Sequence, residues 1–166
     1  MAQVRPYEER DAVAVGRLIA ATYGEFNLGF ASPAERDLLL GPFRHAWSDD
    51  PAHQEAIART IRAAILLVAE EEGEIAGVLR GRRERLQSLF VAGKYQRRGI
   101  GRQLVSRFEA ECIRQEAAAI RVAATLYAVP FYRAMGYKKT TGVRPAWSFE
   151  GHGLVYQPMK KVLSTG

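Results

Sequence analysis

The chain has 166 residues, of which 48% are hydrophobic and 25% charged, a balance that indicates a folded globular protein. Its net charge of +6 favours an anionic partner, which by charge alone is equally a nucleic acid, an anionic lipid or a phosphorylated cofactor. The longest apolar run, residues 63–69, is too short to span a bilayer, and a single cysteine, Cys112, excludes an internal disulfide. No secretory signal is visible at the N-terminus, so a cytoplasmic location is predicted.

The sequence pattern of the first third of the chain predicts mainly helices. Residues 4–7 are predicted as a first strand, in which Pro6 suits an edge position or a strand end. A helical repeat begins at Arg10. Residues 27–50, interrupted by glycine and proline, predict short helices joined by loops, and residues 53–64 predict a second amphipathic helix.

Strand patterns dominate the rest of the chain. An acidic turn between two apolar runs predicts a hairpin. A helix is predicted from about Gly99, and its apolar stripe includes Cys112, whose side chain is expected to pack in the core. The predicted elements are strands at 65–69, 75–80 and 85–91, the helix from about 99, a strand at 118–124, a helix at 128–135, and strands at 137–141 and 154–162 around a loop at 142–153. The order β-α-α-β-β-β-α-β-α-β-β, about seven strands and four helices, predicts one α/β (α+β) domain with a mixed sheet over residues 1–166.

One loop between a strand and a helix has the features of an anion site. Gly99 and Gly101 let the backbone come close to a ligand, and the first-turn N–H groups of the helix point into the same gap. The helix dipole also favours negative charge there. Three arginines surround this spot: Arg97, Arg98 and Arg102. The loop therefore predicts a phosphate or pyrophosphate site, the alternative being a glycine-lined helix start with solvated arginines.

Spacing excludes two familiar phosphate loops. The dinucleotide fingerprint needs a third glycine, and Leu104 stands at that position. A nucleoside triphosphate loop ends in Gly-Lys-Ser/Thr, which does not occur here. A metal site is not predicted either, since His45, His53 and His152 form no ligand spacing with carboxylates or the cysteine.

Two segments resemble the signatures of one family. Gln96-Arg97-Arg98-Gly99-Ile100-Gly101, preceded by Leu89-Phe90-Val91, resembles the Gln/Arg-x-x-Gly-x-Gly/Ala motif of the GCN5-related N-acetyltransferases, or GNAT family. Residues 128–137, Ala-Val-Pro-Phe-Tyr-Arg-Ala-Met-Gly-Tyr, are similar to the family's second signature, Asn-Ala-x-x-Phe-Tyr-x-x-x-Gly-Phe/Tyr. The resemblance implies a single GNAT-like domain with a twisted, mixed and mostly antiparallel sheet.

The resemblance implies that this loop holds coenzyme A. Main-chain N–H groups from Arg97 to Arg102 would bind the pyrophosphate, and the preceding strand would pair with the pantetheine arm after splaying from residues 118–124. The N–H of Phe90 or Val91 would polarise the thioester carbonyl. The implied cofactor-binding residues are Leu89, Phe90, Val91, Gln96, Arg97, Arg98, Gly99, Ile100, Gly101 and Arg102.

Two residues are candidates for proton transfer. Tyr132 matches the tyrosine that the family uses to protonate the departing thiolate, the alternative being that it packs the helix against the sheet. A phenol with a pKa near ~10 is a weaker acid than a thiol near ~8.5, so hydrogen bonding to the thiolate is easier than full transfer. Glu84, the only carboxylate near the central strand, is the candidate base, or else a solvated turn residue among arginines. Tyr127 departs from the family by standing where it has asparagine.

The predicted activity is transfer of an acetyl group from acetyl-CoA to a primary amine by direct attack in a ternary complex. Residues 27–50 and 142–153 would shape the acceptor site, and their aromatic side chains favour an acceptor with an apolar portion over a polycation. A homodimer is usual among relatives, and no membrane or nucleic-acid partner is expected. The alternatives are a non-catalytic acyl-CoA sensor and a nucleic-acid-binding module, suggested by the arginines of residues 80–85.

Overall fold

The computed structural model describes residues 2–164, apart from the side chains of Phe26 and Trp147. The helices in this part of the chain are α1 (Ala12–Phe26), α2 (Pro33–Leu40), α3 (Pro51–Ile61), α4 (Ile100–Arg114) and α5 (Val129–Ala134). The strands are β1 (Gln3–Pro6), β2 (Ile65–Glu71), β3 (Glu74–Arg82), β4 (Arg85–Val91), β5 (Ala119–Ala124), β6 (Lys138–Lys139), β7 (Arg144–Ser148) and β8 (Gly151–Val162). None of these helices is both long enough and apolar enough to cross a membrane.

The strands form one open sheet in the order β1-β2-β3-β4-β5-β8-β6, with β7 paired to β8. Every pairing is antiparallel except that of β4 with β5, which is parallel. This confirms the predicted mixed, mostly antiparallel sheet. Strand β1 pairs only with β2, so Pro6 ends an edge strand, where its missing N–H breaks no ladder bond.

Helices cover the sheet on two sides, and each side has its own hydrophobic core. On one side, called the α4 face, Leu86, Ile120 and Met159 from three strands pack against α4 and α5. On the other side, called the α1 face, Val68 and Val78 pack against α1, α2 and α3. Cys112 is fully buried in the core of the α4 face, which confirms that it packs.

Two of the helices begin with the expected capping chemistry. The Ser32 hydroxyl accepts a hydrogen bond from the Glu35 N–H at 3.3 Å, and the Asp50 carboxylate accepts one from the Ala52 N–H at 2.9 Å. A proline follows each cap, where its fixed φ suits a first turn. Helix α3 therefore begins at Pro51, two residues before the predicted start, and α2 confirms a short helix within residues 27–50.

The C-terminal segment differs from its prediction. The segment 142–153, predicted as a loop, contains β7 and the start of β8, while the predicted strand 137–141 is reduced to two residues. Glycines hid the strand pattern because Gly151 serves packing: a Cβ there would lie 2.4 Å from the Leu39 Cγ. Strand β8 extends past the sheet to pair with β7, which brings the count to eight strands in the described chain.

Candidate active site

The parallel pair β4 and β5 separates after its first two residues. Arg85 lies opposite Arg121 and Leu86 opposite Val122, and the pairing ends there. From Ser88 to Val91, β4 continues to pair with β3. The predicted splay is thus confirmed, and it leaves one edge of β4 unpaired by β5.

A β-bulge marks the point of separation. Leu86 lies opposite Gly81 and Ser88 lies opposite Arg80, so Gln87 is an extra residue on β4. A bulge bends its strand and increases the local twist, which turns the rest of β4 away from β5. The sequence pattern of residues 85–91 carried no signal for this bulge.

The unpaired edge of β4 presents specific main-chain groups. The Ala92 N–H donates to the Ala76 carbonyl at 2.8 Å, so it points toward β3. Because alternate residues of an antiparallel strand bond to the same neighbour, the N–H groups of Leu89 and Val91 point the other way, toward the cleft. The Gln96 side chain donates to the Val91 carbonyl at 3.0 Å from that direction.

The cleft ends at the start of α4. Gly99 stands at the N-cap with φ of 81°, no side chain caps the helix, and no atom lies within 4 Å of where a Cβ would be. The first-turn N–H groups therefore receive no side-chain cap, as an anion site requires. Gly101 has a different role, because a Cβ there would lie 3.3 Å from the Phe131 ring of α5. It allows α5 to pack closely on the beginning of α4.

The three arginines of the loop are exposed. Arg97, Arg98 and Arg102 form no salt bridge with any residue from 2 to 164, and the Arg98 guanidinium lies 5.5 Å from the centre of the Tyr95 ring. Arg97 itself has a positive φ of 64°. The predicted loop residues are thus brought together around one gap whose cations lack an internal counter-charge.

Tyr132 follows, in α5, the Phe131 ring that packs on Gly101. Its side chain is buried between Phe131 and Tyr137, whose ring centres lie 5.2 Å and 5.5 Å away. Burial raises the pKa of the Tyr132 hydroxyl, so the phenol stays protonated at neutral pH. A hydrogen bond fixes the Tyr137 side chain: its hydroxyl donates to the Glu109 carboxylate at 2.9 Å, and Lys161 forms a salt bridge with the same carboxylate at 3.0 Å. Tyr132 therefore has the predicted packing contacts and also the protonation state of a donor.

A family model described as an acetyltransferase (GNAT) domain matches residues 32–163, most of the chain. The chain belongs to the GNAT family. No curated protein sequence matches this GNAT chain.

Solved structures share the fold of this GNAT domain at low identity. A GCN5-related N-acetyltransferase from Rhodopseudomonas palustris is 22% identical with a TM-score of 0.77, over 98% of this chain and 96% of that one. The PaiA N-acetyltransferase from Thermoplasma acidophilum, in complex with coenzyme A, is 15% identical with a TM-score of 0.72, over 98% and 99%. YncA from Salmonella typhimurium, with its cofactor acetyl-CoA, is 17% identical with a TM-score of 0.65, over 99% and 95%.

Glu84 lies outside the cleft of the GNAT domain. It is in the turn between β3 and β4, its side chain is more than half exposed, and its carboxylate lies 3.6 Å from Arg83. Its carbonyl accepts a hydrogen bond from the Arg121 N–H at 2.9 Å, at the end where β4 and β5 still pair. The bulge at Gln87 separates it from the unpaired edge of β4. The contacts favour a turn residue, and a role as base stays a prediction.

Two further side-chain groups of the GNAT domain are defined by their contacts. The Tyr127 hydroxyl, at the family's asparagine position, donates to the Gln96 side chain at 3.4 Å, so it contacts the loop before α4. His45 and His53 stack with ring centres 3.8 Å apart, and His53 shares a 2.7 Å hydrogen bond with Ser48. Among the described residues, no cluster of three His, Cys, Asp or Glu side chains could hold a metal ion.

Proposed function

We propose that this GNAT domain, comprising residues 1–166, transfers an acetyl group from acetyl-CoA to a primary amine. One observation carries the proposal: the unpaired edge of β4 leads directly to the uncapped, glycine-led start of α4. An extended amide chain can pair with the first feature while its attached pyrophosphate meets the second. A protein that bound only a phosphate would not need the strand edge.

The donor is held mainly by main-chain groups. N–H groups from Arg97 to Arg102 bind the pyrophosphate, assisted by the exposed arginines of the loop. Val91 offers its N–H group to an amide of pantetheine. Tyr127 takes part through Gln96, the residue that its hydroxyl contacts.

The chemistry is a direct attack in a ternary complex. Acetyl-CoA supplies the thioester: the amine nitrogen forms a bond to the acetyl carbon, the carbon–sulfur bond breaks, and the thiolate leaves. The Phe90 N–H, one of the two predicted donors to the developing oxyanion, points toward β3, and the other, the Val91 N–H, lies at the pyrophosphate end of the edge. Because the thioester is the far end of an extended pantetheine, the cleft-facing N–H of Leu89 is the donor placed beside it. The protonated Tyr132 hydroxyl donates a hydrogen bond to the leaving sulfur.

The amine must lose a proton before it attacks. An alkylammonium with a pKa near ~10.4 has no lone pair, so a base must act before attack. Glu84 is the carboxylate that the sequence offers, and relay through water at the bulge would bring it into reach. We also propose a cytoplasmic location, on the N-terminal sequence and the single cysteine, and a homodimer, on the resemblance.

The experiment is a thiol-release assay with acetyl-CoA and a panel of small amines, amino acids and peptides. Amine-dependent release of coenzyme A, with an N-acetylated product of matching mass, is the expected result. Acetyl-CoA binding without turnover on any amine would instead support the acyl-CoA sensor. Turnover of acetyl-CoA to acetate alone would contradict the amine-transfer step.

A further inference from the structure

We propose that the acceptor is a small amine that also carries an anionic group, a carboxylate or a phosphate, held by Arg85 and Arg121. This inference rests on the proposed acetyl transfer and adds the class of the second substrate. Both arginines belong to the last residue pair before β4 leaves β5. They therefore lie at the closed end of the cleft, on strands that also border the site of attack.

The strand pattern places both arginines on the α1 face. Leu86 packs on the α4 face, so its neighbour Arg85 points to the opposite side of the sheet. Ile120 and Val122 likewise pack on the α4 face, which directs Arg121 to the α1 face. Met159 also packs on the α4 face, so its neighbour Lys160 points to the α1 face as well.

Helices leave this part of the α1 face open. The core of α1, α2 and α3 covers β2 and β3 but includes no residue of β5. Arg121 and Ala123 are accordingly exposed, while Ile120 and Val122 on the other side are buried. The open face thus adjoins the acceptor side of the cleft and does not overlap the cofactor loop.

Two adjoining cavities occupy this face, of about 240 and 290 Å3, and both are bordered by Arg85 and Arg121. The charged residues that line them are Arg82, Arg85, Arg121, Arg144, Lys160 and one acid, Glu84. Within residues 2–164, the five cations form no salt bridge, and Glu84 pairs with Arg83. A bound anion would relieve the repulsion among these cations.

Two neighbouring arginines, Arg80 and Arg83, have structural roles at the ends of helices. Arg80 donates to the carbonyls of Ile61 at 2.7 Å and Thr60 at 2.9 Å, at the C-terminus of α3. Arg83 donates to the carbonyls of Gln115 and Glu116, both at 2.8 Å, after the end of α4. Such contacts satisfy helix ends. Arg85 and Arg121 have no comparable contact among the described residues, so this structural explanation does not extend to them.

The cavity is also bordered by two threonines at fixed positions, Thr140 and Thr141. Guanidinium groups bind carboxylate or phosphate through two parallel hydrogen bonds. The Gln157 side chain donates to the Thr141 carbonyl at 2.7 Å, and the Thr140 N–H donates to the Pro158 carbonyl at 3.1 Å. These bonds anchor both threonines to β8, where they line the same cavity as Arg85 and Arg121.

The geometry limits the size and charge of the acceptor. Leu89, which has the first cleft-facing N–H past the bulge, is four residues from Arg85, a strand distance of about 13 Å. Arginine side chains shorten that span, so one small molecule can place its amine in the cleft and its anion at the arginines. Polyamines and lysine-rich peptides would meet like charge and are disfavoured.

The test compares matched acceptors in the thiol-release assay at saturating acetyl-CoA. The pairs are phenylalanine against phenethylamine and O-phosphoethanolamine against ethanolamine, with spermidine as a polycation. In at least one pair, we expect kcat/KM to be at least about tenfold higher for the amine that carries a carboxylate or phosphate than for the partner that lacks this group. Arg121→Gln and Arg85→Gln should each remove most of this preference through KM. Arg59→Gln, an exposed arginine on α3, should retain it.

The outcomes separate this inference from the proposed function. Acetylation of neutral and anionic amines with equal kcat/KM would overturn the anionic acceptor and leave acetyl transfer intact. If Arg121→Gln and Arg85→Gln lowered kcat/KM equally for the acceptor with the anionic group and for its partner without one, the anionic acceptor would be overturned as well. Absence of any acetyl-CoA binding would overturn both. Light scattering provides a further check: conversion of a dimer to a monomer in Arg121→Gln would show that this face joins two copies of the chain, contrary to the proposal.

Discussion

The two sides of the cleft are built in different ways. The donor side comes from one continuous segment, in which β4 leads through the glycine loop into α4. The acceptor side on the α1 face combines residues far apart in the chain, such as Arg85, Arg121 and Arg144, which only the sheet order brings together. In the proposed function the donor side binds through main-chain groups, whereas the acceptor side offers side chains. The donor side should therefore serve every acceptor equally, and the acceptor side should discriminate among them.

The largest expected effect is on the donor side, for Gly99→Asp. A carboxylate at this N-cap would repel the pyrophosphate, and like charges in contact cost several kcal/mol, so acetyl-CoA affinity should fall about 100-fold or more. Isothermal titration with acetyl-CoA measures this. Gly73→Asp is the matched control, because Gly73 has a φ of 80° against 81° for Gly99 and equally open surroundings. If both variants lost affinity alike, backbone strain would be the cause and the loop would not be the site.

Tyr132→Phe should lower kcat by about 10- to 100-fold for every acceptor, while acetyl-CoA affinity stays unchanged. The hydroxyl acts only as the thiolate leaves, so binding does not depend on it. Tyr137→Phe is the comparison variant: it removes the bond to Glu109 and should cost about 1–3 kcal/mol of unfolding free energy with little change in kcat. If Tyr132→Phe kept the wild-type kcat, the Tyr132 hydroxyl would have no role in catalysis and the side chain would serve only in packing.

Salt should affect the acceptor side selectively. The preference for an anionic over a neutral amine should fall by about half or more between roughly 50 and 500 mM NaCl, since exposed charges are screened over about 10 Å at 0.1 M. Steady-state assays at saturating acetyl-CoA measure the ratio of kcat/KM for each pair. A ratio independent of salt would argue that shape, and not charge, selects the acceptor.

The smallest expected effect concerns Cys112 on α4. Burial raises the pKa of its thiol to about 11, so little thiolate exists at pH 8, and the side chain is fully covered. A thiol reagent such as dithionitrobenzoate should react with the unfolded protein in urea and leave the native protein unlabelled over an hour. Rapid native labelling would show that α4 does not pack firmly behind the donor loop.

Sequence patterns predicted the donor side better than the acceptor side for a physical reason. The loop, its glycines and the following helix are local features, and β4 was predicted with its observed bounds, Arg85–Val91. The bulge at Gln87 was not predicted, because an extra residue changes the pairing partner and leaves the apolar pattern nearly unchanged. Strand β7 was missed since glycine and proline surround it.

The roles of the arginines also depend on long-range contacts. Residues 80–85 suggested one basic hairpin, yet Arg80 and Arg83 bind carbonyls at helix ends, and Arg82 and Arg85 line the cavities. Neighbouring residues of identical type thus differ in their contacts because different elements lie beside them: the end of α3 beside Arg80 and the end of α4 beside Arg83. No local pattern contains that information.

The central claim is that the chain binds acetyl-CoA at the start of α4, and a thermal unfolding measurement tests it most directly. At 100 times its dissociation constant a ligand stabilises the native state by about 2.7 kcal/mol, so the Tm of the wild-type protein should rise in a saturable manner with acetyl-CoA. The same titration should leave Gly99→Asp nearly unshifted and shift Gly73→Asp as it does the wild type. A wild-type Tm that does not change at millimolar acetyl-CoA would contradict the account.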